Sequence, residues 1–81
     1  MDTYLVTSEN VVLSFREGEE IEPRRAVADT LRKRGLAQWP ALEAELYHGA
    51  RETLLLARPA PPACLRGRAC PLRLRRYNTE I

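Results

Sequence analysis

A chain of 81 residues, 44% apolar and 30% charged with both signs present, excludes a multidomain protein and a disordered polyelectrolyte. No stretch approaches the roughly eighteen uninterrupted apolar residues of a membrane helix. The opening Met1-Asp2-Thr3-Tyr4 lacks the basic and apolar signature of a secretory signal, so a cytoplasmic location is expected.

The net charge of +2 hides an asymmetry. Through residue 52 the acids outnumber the bases, whereas between Thr53 and Thr79 every charged residue is an arginine. Twelve of the 13 basic residues are arginine, a bias that a GC-rich bacterial genome explains as well as any function.

Tyr4-Leu5-Val6 and Val11-Val12-Leu13-Ser14-Phe15 are β-branched and aromatic runs separated by Ser8-Glu9-Asn10, a hairpin signal. Period-two alternation sets Val11, Leu13 and Phe15 on one face. Residues 16–20 form a polar turn. Pro23 then opens a helix running to about Arg34, with Glu19, Glu20 and Glu22 near its positive end and Arg32, Lys33 and Arg34 at its negative end. Gly35 stops it. Val27 and Leu31, beside Ala28, make the buried stripe, and Arg25, Asp29 and Arg32 face water.

Pro40 is expected to open a second, shorter helix ending near Tyr47-His48 ahead of Gly49. Trp39, Leu42 and Leu46 fall at i, i+3 and i+7, with Trp39 as the anchor at the helix entry and Glu43 and Glu45 outward. Residues 52–58 read as the strongest strand. Leu54-Leu55-Leu56 predicts either a strand covered on both faces in the sheet centre or one leucine turned to a partner subunit. Pro59, Pro61 and Pro62 predict an irregular connector. Beyond it Leu72 and Leu74 alternate with Arg73 and Arg75, as in an edge strand with one face in water.

The expected architecture is a single α+β domain over residues 1–81. It has a small antiparallel sheet, order β-β-α-α-β-β, with two helices packed on one face. Residues 1–58 form the body, 59–63 the proline-rich connector and 64–81 an arginine-rich, β-like tail.

Little in the chain points to chemistry. Cys64 and Cys70 are a candidate thiol pair. Their spacing fits neither usual metal knuckle, and His48 is the only other soft ligand, so ordinary thiols are favoured over a disulfide or two of four zinc ligands. His48 has no second histidine or nucleophile nearby in sequence, and a place at a helix end accounts for it. Ser8 and Ser14 lie in no nucleophile motif. Glu17, Glu19, Glu20 and Glu22 lack calcium-loop spacing. The glycines are isolated, so no phosphate loop exists. No catalytic residue, metal site or cofactor is expected.

The functional expectation is therefore a non-catalytic protein-interaction module that self-associates, as a dimer, through its late strands. Arg73, Arg75, Arg76 and Tyr77 form the contact surface, and Leu72 and Leu74 its apolar anchor. In this reading the arginines pair with an acidic face of the neighbouring subunit. The alternative is nucleic-acid binding, with Arg66, Arg68, Arg73, Arg75 and Arg76 on phosphates. A thiol-based regulatory protein or adaptor comes third. One layout bears on the last: Leu46-Tyr47, a turn at His48-Gly49 and then Leu54-Leu55-Leu56 is similar to a segment in the C-terminal domain of MecA-type adaptor proteins. That family delivers substrates to a Clp protease; the likeness spans some sixteen residues (42–57) and carries over no functional residue.

Overall fold

The structure, a computed structural model, describes residues 1–61 and 72–79. Within them the chain runs β1 (Asp2–Val6), β2 (Val11–Arg16), α1 (Pro23–Lys33), β3 (Leu42–His48), β4 (Glu52–Pro59) and β5 (Leu72–Asn78). Among the described residues the protein is mostly sheet, with five strands in the order β1-β2-β4-β3-β5 and a single helix.

This overturns the expected two-helix architecture of order β-β-α-α-β-β. The segment expected to be the second helix is strand β3, giving β-β-α-β-β-β. Leu42, Ala44 and Leu46 are buried, while Glu43, Glu45 and Tyr47 between them are half-exposed, which is the period of a strand. Nor is the sheet purely antiparallel. β5 runs parallel to β3, and β4 hops over β3 to reach it.

The hairpin β1-β2 closes where Thr7 accepts hydrogen bonds from the Glu9 and Asn10 amides on its hydroxyl (3.1 and 2.8 Å). β4 then lies between β2 and β3 through antiparallel registers in which Leu13 faces Leu55 and Leu46 faces the same leucine from the other side.

Helix α1 begins at Pro23, where the missing N–H costs nothing. It ends in a Schellman turn: the Gly35 amide reaches the Arg32 carbonyl (3.1 Å) and the Leu36 amide reaches Leu31 (2.9 Å), with Gly35 at φ +69°. Its acids are placed differently from expectation. Glu22 occupies the N-cap position without a side-chain capping bond and pairs with Arg25 (3.5 Å). Glu19 turns back to the Arg16 amide (3.0 Å) and the Met1 amino group (2.8 Å).

The core lies between α1 and one sheet face. Val27 and Leu31 of the helix meet Val11, Leu13, Phe15, Leu42, Ala44, Leu46, Leu55 and Ala57. Trp39 packs on the edge of this core beside Val27, Leu31 and Leu42, leading into a strand where a helix entry was expected. Pro59, expected in the irregular connector, is the last residue of β4 opposite Leu42. It is tolerated at a strand end, where a lost N–H removes little pairing.

The three leucines of β4 divide. Leu55 is fully buried, whereas Leu54 and Leu56 are half-buried on the other face, so the strand is central in the sheet but covered on one side only. Among the described residues no helix is long and apolar enough to cross a membrane.

Candidate interaction face

The sheet registers define four rows of side chains on the face away from α1. The first crosses Arg58, Glu43 and Arg73, and the second Leu5, Val12, Leu56, Glu45 and Arg75. The third holds Asp2, Ser14, Leu54, Tyr47 and Tyr77, and the fourth Arg16 and Glu52. Its middle is apolar and aromatic, and one corner is a charge network.

The charge network is built around strand β3. Glu43 receives Arg58 Nε at 3.3 Å on one oxygen and Arg73 Nη1 at 3.5 Å on the other, so one carboxylate bridges the strands on both sides. Arg58 also donates to Glu45 (3.0 Å). The Tyr47 hydroxyl donates to the second Glu45 oxygen at 2.9 Å. That hydrogen bond, and after it the Arg58 guanidinium, hold the Glu45 carboxyl below its ordinary value of 4.5. The same bond to a carboxylate holds the Tyr47 phenol above its ordinary 10. Glu45 and Glu43 together hold Arg58 more firmly protonated.

The apolar part is partly open. Val12, Leu54 and Leu56 are half-buried, and Tyr77 stacks on Tyr47 with ring centroids 5.1 Å apart and planes 12° from parallel. Leu5, at the far edge, is exposed. Ser14 is buried beneath and donates to Glu52 (2.8 Å).

The structure brings together only part of the expected contact surface. Arg73, Arg75 and Tyr77 share the open face. Leu72 and Leu74 lie on the opposite side, packed against the core, so they anchor β5 to its own domain and not a partner. Arg76 also lies on the helix side, 3.4 Å from His48 Nε2. Of the arginines expected to meet a neighbour's acids, Arg73 reaches Glu43 of the same chain. Arg66, Arg68, Cys64 and Cys70 lie outside the described residues.

His48 closes β3 and not a helix. Its two ring nitrogens face Thr53 Oγ1 (3.3 Å) and Arg76 Nη1 (3.4 Å). Among the described residues no group of three or more His, Cys, Asp or Glu could hold a metal ion.

Sequence reasoning missed Tyr47, Glu43, Glu45, Arg58, Val12, Leu54 and Leu56 as members of one surface. The alternation Glu43-Ala44-Glu45-Leu46-Tyr47 was the available signal. No protein-family model, curated protein or solved structure matches the chain.

Proposed function

We propose that this chain is a small non-catalytic protein-interaction module that self-associates as a dimer through the open face of its late strands. The observation that carries this reading is the apolar and aromatic patch of half-buried Val12, Leu54, Leu56 and Tyr47 with exposed Tyr77, which α1 leaves uncovered and the charge network borders. An apolar and aromatic centre with a polar rim is the usual anatomy of a contact surface. The same reading puts the module in the cytoplasm.

The open face carries four carboxylates (Asp2, Glu43, Glu45, Glu52) and four arginines (Arg16, Arg58, Arg73, Arg75), so it has no net charge. Such a face suits a second copy of itself better than a phosphate backbone, which attracts clustered unpaired cations. This places nucleic-acid binding second.

Five strands about 4.8 Å apart and roughly 22 Å long present about 500 Å² in projection. A standard interface buries about 800 Å² per partner. The dimer is therefore reversible and concentration-dependent.

Sedimentation equilibrium of the full chain from low to high micromolar concentration tests the reading. Association weakened about tenfold or more by Leu54→Glu or Leu56→Glu, with an unchanged circular dichroism spectrum, supports it. A wild-type monomer across the whole range removes it.

A further inference from the structure

We infer that the outer edge of β5 accepts an extended peptide of alternating acidic and aliphatic residues as a sixth strand. This edge borders the open face and shares Arg73 and Arg75 with it, but the inference does not rest on the dimer. β5 pairs with β3 on one side only, and among the described residues no strand pairs with its other side. From Leu72 to Tyr77 its outward backbone N–H and C=O groups form a template for a further strand.

The side chains specify which strand. Arg73 and Arg75 point to the open face, and the Arg73 side chain is 67% exposed. Arg75 makes no ion pair among the described residues, although its charge helps hold Glu45 ionised. On the opposite side Leu72 borders an open, mostly apolar hollow of about 630 Å³, walled by Ile21, Pro23 and Ala28 and edged by Glu22, Arg24 and Arg25. An added strand must therefore place carboxylates beside Arg73 and Arg75 and aliphatic side chains beside Leu72. Strand geometry delivers both when acidic and aliphatic residues alternate.

A second copy of β5 is a poor occupant. Its own arginines would meet like charges across the junction, which is destabilising. The other sheet edge is less suited, because the β1 register shifts between Thr3 and Leu5 and such bulges blunt an edge.

The probe is a blocked, fluorescently labelled peptide of alternating Glu and Val, titrated into the full chain at low salt. Expected are saturable binding, amide chemical-shift changes concentrated at residues 72–78, and about tenfold weaker binding to the folded Arg75→Glu variant. N-methylation of either the Val set or the Glu set removes backbone donors on one side of the peptide. One set should abolish binding and the other preserve it. No binding of the Glu/Val peptide at low salt overturns the inference, as does equal binding of both N-methylated forms or shifts confined to β2 and β4. Leu54→Glu, which tests the dimer, should leave peptide affinity unchanged, so the two readings fail separately.

Discussion

Tyr77 lies nearly flat on Tyr47, 5.1 Å between ring centroids, and so ties the edge strand β5 to β3 on the face that α1 leaves open. Leu72 and Leu74 hold the first half of β5 against the core, whereas residues 75–78 are exposed and this stack and the backbone ladder are among the contacts that hold them. An aromatic pair adds about 1 kcal/mol beyond its buried area. Tyr77→Ala should therefore cost about 1 kcal/mol in denaturant unfolding. It should also speed hydrogen exchange at the end of β5 while leaving β2 and β4 protected. Tyr77→Phe keeps the ring and should be close to neutral.

The Tyr47–Glu45 hydrogen bond sets the pH response of this corner. Glu45 is lowered from 4.5, so its contribution is present above that value and fades as pH falls through the lowered one. Tyr47 is raised from 10, so the protonated phenol contributes below 10 and its share is lost as pH rises through the raised value. Phenolate absorbance should show a late tyrosine transition, above the ordinary 10. In Glu45→Gln that late transition should move back toward the ordinary range.

The leucine triplet makes a sharper mutational test. Leu55 is fully buried between Leu13 and Leu46, and its truncation leaves a cavity in a thin core. Leu55→Ala should cost about 2–5 kcal/mol, a large part of the roughly 4–12 kcal/mol expected for a domain of this length. Leu54→Ala and Leu56→Ala, half-buried on the other face, should each cost about 1 kcal/mol or less. Urea denaturation of the three variants reads the difference directly. Equal costs would mean that both faces of β4 are covered.

Gly35 offers a backbone test. Its φ of +69° permits the Schellman turn that redirects the chain from α1 toward Trp39, and no atom stands within 4 Å of a Cβ placed there. Any penalty for a side chain is therefore conformational. Gly35→Ala should cost about 1 kcal/mol, and Gly35→Asn less, since Asn tolerates this region better. Thermal unfolding of the pair checks the order.

Where local rules were sufficient, the fold was legible in the sequence. Pro23, the Val27/Leu31 stripe and Gly35 mark α1, and the Val11/Leu13/Phe15 alternation marks β2. Segment 42–48 misleads because the spacing from Leu42 to Leu46 fits both periods. Four residues complete about one helical turn and also two strand repeats. Leu-Glu-Ala-Glu-Leu has good intrinsic helix propensity, and pairing with β4 and β5 overrides it. Glu43 and Glu45 held the discriminating information. A helix would turn them some 200° apart, whereas a strand sets them on one face. Which arginines they meet depends on register, and no local rule supplies that.

That register changes what the uneven charge distribution means. Glu43 belongs to the acidic half of the sequence and Arg58 and Arg73 to the basic half, yet they form one network within the chain. Each exposed pair is weak, and the Glu43–Arg73 coupling should be about 0.5 kcal/mol. A charge swap tests it. Glu43→Arg and Arg73→Glu should each destabilise the fold slightly, and the double variant should recover part of the loss. The coupling should shrink in 1 M salt, where screening reaches about 3 Å. If the arginine instead reached a neighbour's carboxylate, the coupling would grow with protein concentration. A concentration-independent cycle keeps the pair within one chain, and with it the assignment of Glu43 as the bridge between β4 and β5.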